Sequence, residues 1–245
     1  MGGVVLTEDA TITRNFAAVS HLGHTRVRNE DSYFIAANKG LALVADGVGG
    51  QGDGAWASKR AVELFVPALA DASATEQQDV IGEVLAAVHS RMFRETRADN
   101  ERPSGTTIAG IWAPKGSAGL ATVFNVGDSS VFHFSRGRIA KVSRDHSLYQ
   151  LWLDGGRVGR EPAKRMIVQA LGISDQLSPH IVPLVLSPGD AILICTDGLS
   201  GAVPPSRMAQ LLAECSASQG ACQALLDEAL AGPASDNVTV SVCCF

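Results

Sequence analysis

Six carboxylates in this chain stand where apolar runs begin or end. Asp46 closes the run Leu41-Ala42-Leu43-Val44-Ala45 and is followed by Gly47, while Asp197 closes Ala191-Ile192-Leu193-Ile194-Cys195-Thr196 and is followed by Gly198. Asp128 follows Val123-Phe124-Asn125-Val126-Gly127, Asp236 precedes Asn237 and the run Val238-Thr239-Val240, and Glu30-Asp31 precede the run that contains Tyr33. Taken singly, Asp-Gly and Asp-Asn are ordinary turn chemistry. Taken together they mean more, because a sheet can bring several strand ends to one rim. Carboxylates gathered there repel one another unless a cation neutralises them or protons are taken up. Oxygen donors without neighbouring His or Cys clusters suit magnesium, manganese or calcium rather than zinc or copper. A glycine at position 47 would let its backbone carbonyl approach a cation unhindered.

A rival chemistry occupies part of the same stretch. Gly47-Val48-Gly49-Gly50-Gln51-Gly52 fits the G-x-G-x-x-G pattern of a dinucleotide-binding turn. That fold needs a second parallel strand ending in an acid about 20 residues later. Asp71 lies at about that distance, but it follows a helical stretch with no strand between. The β-rich start of the chain also fails to open a βαβ unit, which disfavours this reading.

The elements that must position the carboxylates can be read from periodicity. Short β-type runs cover 16–19, 32–36 and 41–45. Two helical stretches follow, 55–69 with Trp56, Val62, Leu64, Phe65 and Leu69 largely on one face, and 77–97 with Val80, Val84, Leu85, Val88 and Met92 at helical spacing. A β block spans 106–112, 120–126, 130–134 and 139–142, with Ser135-Arg136-Gly137 as a hairpin turn. The stretch 148–171 is broken by Gly155-Gly156, Gly159 and Pro162 and reads as an inserted helical or loop segment. Strands at 180–186 and 191–195 are joined by Ser187-Pro188-Gly189-Asp190. Helices near 206–214 and 220–231 precede a closing strand at 238–243. Strands outnumber helices and cluster as hairpins, so two mainly antiparallel sheets covered by helix pairs are expected.

Composition bounds the remaining classes. The 245 residues are 46% apolar and 18% charged, with 25 acids against 20 bases and a formal charge of −5. A mildly acidic chain without a basic block is not built to hold nucleic acid. Apolar runs of about half a dozen residues fall far short of a membrane span. No repeat or composition shift divides the chain, so one domain over 1–245 is expected. Residues 1–15 lack the charged and apolar regions of a secretion signal. Five cysteines without CxxC pairs read as reduced, buried thiols of a cytoplasmic protein. Met and Trp positions read as core filling.

The motifs, taken in order, make the chain similar to the metal-dependent protein phosphatase family, type 2C. Gly23-His24-Thr25-Arg26-Val27-Arg28-Asn29-Glu30-Asp31 resembles the family's N-terminal signature, and Val44-Ala45-Asp46-Gly47-Val48-Gly49-Gly50 its central metal motif. Ser104-Gly105-Thr106-Thr107, Asn125-Val126-Gly127-Asp128-Ser129 and Arg144-Asp145-His146-Ser147 resemble the middle motifs. Thr196-Asp197-Gly198-Leu199 and Asp236-Asn237-Val238-Thr239 resemble the C-terminal pair. Any one of the seven is weak; their order is specific.

The resemblance implies an α+β fold, a four-layer αββα sandwich with two antiparallel sheets between helix pairs. It implies two Mn²⁺ or Mg²⁺ ions at one end. Asp46 would bridge both, Gly47 would offer its carbonyl, Asp197 and Asp236 would complete one metal, and Glu30 and Asp31 would hold metal-bound waters. Asp128 with Asp197 would form a weaker third site, Arg26 would bind the phosphoryl group, and 148–171 would be a flap. Two residues depart from the family's bacterial pattern: Gln51 stands for a His after the metal motif, and Ser130 for an Arg after Gly-Asp-Ser. Neither is a ligand position, so activity is expected to survive.

The implied reaction is hydrolysis of phosphoserine and phosphothreonine by in-line attack of metal-activated water. Phosphate monoesters need accelerations of up to ~10²¹-fold, whereas one general acid or base contributes about 10²–10⁴. A metal pair stabilising attacking and leaving oxygens together can supply far more. His146 suits a structural hydrogen bond better than proton transfer, and Ser104 and Cys195 lack the partners of a nucleophile. Arg157, Arg160, Lys164 and Arg165 make the flap basic, either as a solvated loop or as an attraction for acidic phosphopeptides. The expected protein is a cytoplasmic, monomeric bacterial phosphatase that opposes a Ser/Thr kinase, with phosphorylated proteins as partners. The alternatives are a catalytically weak scaffold on the same fold and a phosphatase acting on a sigma-factor regulator.

Overall fold

A computed structural model describes residues 15–49, 53–72, 75–98 and 104–245. Gln51, and nearly all of the segment read for a secretion signal, lie outside the described residues. Eleven strands are described: β1 (Asn15–His21), β2 (Asp31–Ala36), β3 (Leu41–Val48), β4 (Gly105–Thr106), β5 (Ile108–Trp112), β6 (Leu120–Val126), β7 (Ser130–Ser135), β8 (Arg138–Lys141), β9 (His180–Val185), β10 (Ala191–Cys195) and β11 (Val238–Cys244). The helices are α1 (Gly54–Asp71), α2 (Gln77–Ala98), α3 (Leu148–Asp154), α4 (Asp197–Ser200), α5 (Pro205–Glu214) and α6 (Ser218–Ala231).

One sheet runs β1-β11-β10-β7-β8 and the other β2-β3-β5-β6-β9, with β4 attached to β3. The pairings within both are antiparallel. Three apolar clusters identify the layers. Leu193, Val240 and Val242 of the first sheet pack against Met208, Leu212, Leu225 and Leu226 of α5 and α6. Leu41, Leu43 and Phe124 of the second pack against Phe65, Ile81 and Leu85 of α1 and α2. Val44, Ile111 and Val123 meet Val131, Ile192 and Ile194 between the sheets. The molecule is therefore the four-layer αββα sandwich. The central strands β3 and β10 are buried on both faces and read as continuous apolar runs instead of alternating ones.

Local chemistry explains where the elements depart from the periodicity. The run 106–112 is two strands, because Thr107 interrupts it and turns its backbone N–H to the Asp46 carbonyl at 2.9 Å. Arg136 and Gly137 both take positive φ, 51° and 75°, as the tight β7–β8 hairpin requires. On α1 the buried face is made of Ala57, Ser58 and Ala61, small side chains that let the helix lie close to β3, and of Phe65, which packs into the core. Trp56 is 42% exposed, so the expectation that it fills core is corrected, as it is for Met166 at 50%. Cys195, Cys222 and Cys243 are buried, whereas Cys215 and Cys244 are only half-buried.

A fork of charge ties α1 to α2. Arg60 donates from Nε and Nη2 to the two oxygens of Glu95 at 2.9 Å each, and Arg91 Nε lies 2.5 Å from the same carboxylate. Hydrogen bonds from Arg60, then Arg91, hold the Glu95 carboxyl down at about 2. Unfolded, that group titrates near ~4.3. The stabilisation is therefore complete above ~4.3 and is lost as pH falls towards 2. Glu95→Gln should destabilise the fold by about 1 kcal/mol at pH 7. Thermal melts of both proteins should show that difference shrinking below pH ~4.

Candidate metal centre

The acid cluster begins with a cross-strand pair. β2 and β3 are in register so that Asp31 faces Asp46 directly. Like charges in that arrangement are destabilising by themselves, and the surrounding chain is organised to hold them there. The Asp46 N–H donates to Thr107 Oγ1 at 3.0 Å, and its carbonyl accepts from the Thr107 N–H and from Thr106 Oγ1, both at 2.9 Å. Thr107 Oγ1 is in turn 2.7 Å from Ser129 Oγ, which binds the Ser-Gly-Thr-Thr stretch to the Gly-Asp-Ser stretch. Motifs distant in sequence thus meet as a backbone clamp around Asp46.

Asp31 is reached from the other sheet. Its Oδ2 accepts hydrogen bonds from Thr196 Oγ1 at 2.9 Å and Thr239 Oγ1 at 2.7 Å. Its Oδ1 is buried without a hydrogen-bond partner, as is Oδ1 of Asp197. Burial pushes the Asp31 carboxyl up to about 7, against the two threonine hydroxyls and with help from Asp197 and Asp236. Asp46 is pushed well above the ordinary carboxylate range by burial, then by Asp31, Asp197, Asp128 and Asp236. Asp128 is raised to about 7 by burial, then by Asp197 and Asp145. Burial also raises Asp197; Arg165 and Arg26 oppose that shift and Asp236 adds to it.

The remaining residues fix this cluster to the loops. Asn237 accepts from the Glu30 N–H at 2.8 Å and donates to the carbonyls of Leu22 at 2.8 Å and Arg28 at 3.0 Å. One side chain therefore shapes the connection that carries Arg26 and Glu30. Arg26 Nη2 lies 2.9 Å from Asp236 Oδ2, and Arg165 reaches both Asp197 and Asp236 at 3.3 Å. His146 Nδ1 accepts from the Gly127 N–H at 3.1 Å, and burial lowers its pKa, as a structural, neutral imidazole requires. Ser130 is buried and donates to the Asp128 carbonyl at 3.3 Å. Cys195 is fully buried and its thiol is pushed up to about 12, far from nucleophilic.

Glycine 47 has a sharper reason than cation access. A Cβ there would lie 2.2 Å from the Gly54 carbonyl oxygen, so β3 and the start of α1 could not meet. A Cβ at Gly198 would lie 1.9 Å from the Asn237 carbonyl oxygen. Both glycines are close-approach positions that bring acid-bearing backbones together.

Among the described residues, no three His, Cys, Asp or Glu side chains close on one point as a finished cage. The donor set nevertheless fits a hard divalent cation. It is made of oxygen only, two buried carboxylate oxygens lack partners, and burial, with repulsion from neighbouring acids adding to it, raises four of the carboxyl groups. Magnesium commonly keeps several waters and needs only one or two carboxylates per ion. Sequence reasoning gave little weight to the hydroxyls of Thr107, Thr196 and Thr239. Their signal was adjacency, since each stands in a motif that also carries an acid or meets one across a strand. Gly198→Ala should displace the Asn237 backbone, cost about 1–3 kcal/mol of stability and weaken Mn²⁺ binding measured by calorimetry. A variant melting and binding like wild type would contradict that packing.

Comparison with known proteins identifies relatives of this chain. The protein phosphatase 2C profile matches residues 20–232. The serine/threonine phosphatase stp of Listeria monocytogenes is 27% identical over 234 residues, covering 89% of this chain and 90% of its own. The serine/threonine protein phosphatase PstP of Mycobacterium tuberculosis is 30% identical over 242 residues, covering 95% of this chain but 45% of its own length. A crystal structure of a PstP catalytic domain in complex with two manganese ions superposes with a TM-score of 0.79 at 27% identity, covering 94% of this chain and 97% of that one. This chain belongs to the protein phosphatase 2C family.

Proposed function

We propose that this chain is a metal-dependent protein serine/threonine phosphatase whose active centre is the acid cluster at the rim of the sandwich. The observation that carries the reading is the convergence of Asp31, Asp46, Asp128, Asp197 and Asp236 from both sheets, with a guanidinium already seated on Asp236. The names of the relatives supply the reaction class. Asp46, Asp197 and Asp236 would hold the Mn²⁺ or Mg²⁺ ions, with the Gly47 carbonyl, Glu30 and Asp31 completing the two sites. Asp128 with Asp197 would hold a weaker third ion. When bound, such ions lower the pKa of water and shield the charge of the phosphoryl group.

The chain's own residues do the rest. Arg26 is anchored by Asp236 and half-exposed, so it can grip phosphoryl oxygens with donors that the ion pair does not use. Thr196 and Thr239 hold Asp31 in place from the opposite sheet, which fixes the distance between the two acid-bearing rims. The scaffold alternative would tolerate lost carboxylates; all six acids are present, and their placement argues for catalysis. The reading extends to one catalytic domain over 1–245, a monomer that acts in the cytoplasm against a Ser/Thr kinase on phosphorylated proteins. Five free cysteines support a reducing compartment. No helix among the described residues is long and apolar enough to cross a membrane.

The test is Mn²⁺-dependent release of phosphate from a phosphothreonine peptide. Asp46→Asn and Asp197→Asn should each lower turnover by about 10³-fold or more, the scale of several kcal/mol of lost charge stabilisation. Arg26→Ala should chiefly raise KM. Absence of turnover in the metal-loaded wild type would refute the activity, and undiminished turnover in both Asp variants would refute the site.

A further inference from the structure

Helix α6 ends without a basic side chain in its own last turn. The last four carbonyls of any α-helix lack partners within the helix, and side chains that bring an N–H or a positive charge are favoured there. Here the donor comes from the other end of the chain. His24 Nε2 lies 2.9 Å from the Leu230 carbonyl oxygen, which can only accept, so the imidazole donates. The His24 backbone N–H donates to the Ala234 carbonyl, also at 2.9 Å. One residue of the β1–β2 connection is therefore fastened twice to the chain that ends and leaves α6.

The flanks of that connection follow the same surface. A Cβ on Gly23 would lie 2.1 Å from the Asp236 carbonyl oxygen, so the two backbones touch there. Asn237 Nδ2 holds the Leu22 and Arg28 carbonyls, and its Oδ1 accepts from the Glu30 N–H. Ala234 is buried and takes a φ of 34°. A left-handed alanine costs free energy and persists only where its surroundings hold it. The His24 N–H on its carbonyl is one of the groups that do so.

Between His24 and Arg28 the chain stands out from this surface. Thr25, Arg26 and Val27 are exposed, Val27 at 93%. Arg26 is tied at its far end, where Nη2 meets Asp236 Oδ2 at 2.9 Å. The same carboxylate oxygen receives Arg165 Nη1 at 3.3 Å, and it belongs to the acids proposed to hold the cations. Asp236 is therefore shared, and its charge is not available to Arg26 alone. A long guanidinium side chain loses rotamer freedom when it grips a phosphoryl group. Fixing the backbone two residues away lowers that cost by preorganisation. Resting on the phosphatase reading, we propose that His24 is a positioning residue, which holds the Arg26 tip against the end of α6 and so presets the guanidinium for the phosphoryl group.

Isothermal titration of inorganic phosphate into the Mn²⁺-loaded protein tests this role, alongside kinetics on a phosphothreonine peptide and thermal melts. His24→Ala should weaken phosphate binding and raise the peptide KM by about fivefold each, with kcat within about threefold of wild type. His24→Gln should stay within about twofold of wild type, because its amide N–H can serve the same carbonyl. In an Arg26→Ala background, His24→Ala should shift KM by less than about twofold, since such a cycle isolates action through Arg26. A residue that only caps α6 would lower the melting temperature and show no such coupling. Unchanged phosphate affinity and KM in His24→Ala, with wild-type turnover intact, overturn the proposal and leave the phosphatase reading standing. Equal losses with and without Arg26, or a His24→Ala chain that does not fold, mark a helix cap and overturn it too. A wild type that neither binds nor releases phosphate removes the phosphatase reading, and this role of His24 with it.

Discussion

Asp31 and Asp46 face each other across two paired strands, both half-buried, with Asp197 and Asp236 arriving from the other sheet. Such a set of carboxylates costs free energy in any fold that assembles it. Three devices oppose that cost in the protein itself. Threonine hydroxyls bind Asp31, backbone clamps hold Asp46, and two guanidiniums sit on the outer acids. None of them satisfies the buried Oδ1 atoms of Asp31 and Asp197. Divalent cations would neutralise what the protein leaves unbalanced, and their binding energy would stabilise the folded chain by mass action.

The two-sheet architecture makes this assembly possible. Each sheet contributes acids at one rim, and the contacts that cross between sheets are polar there while Val44, Ile111, Ile192 and Ile194 fill the interior. Thr196 lies at the end of β10 and Thr239 within β11, yet both donate to an acid of β2. The inter-sheet distance at the active rim is therefore set by hydrogen bonds as well as by packing. Gly47 and Gly198 let neighbouring backbones approach to distances no side chain would allow. The acids of the cluster lie in or next to strands β2, β3, β6, β10 and β11, with the exposed Arg26 and Arg165 at its outer edge.

Much of this was legible from the residues. The apolar runs before Asp128 and Asp197 marked strand ends, whereas β3 runs on through Asp46 to Val48, and the seven ordered motifs pointed to the αββα sandwich. What escaped had identifiable causes. Trp56 looked like core because helical periodicity cannot tell a face packed by Ala57 and Ala61 from one packed by large side chains. The break at Thr107 was invisible because its hydrogen bonds go to Asp46, some sixty residues away in sequence. Arg165 was one of four similar cations until tertiary pairing set it apart. Long-range pairings of this kind leave no local pattern to read.

The central claim is that the acid cluster exists to hold divalent cations. Equilibrium dialysis of the wild-type chain against Mn²⁺, with bound metal counted per chain, tests it most directly. Two saturable ions per chain, accompanied by a rise in melting temperature, are the predicted result. A chain that binds no Mn²⁺ or Mg²⁺ above background, and melts unchanged in their presence, would contradict the account.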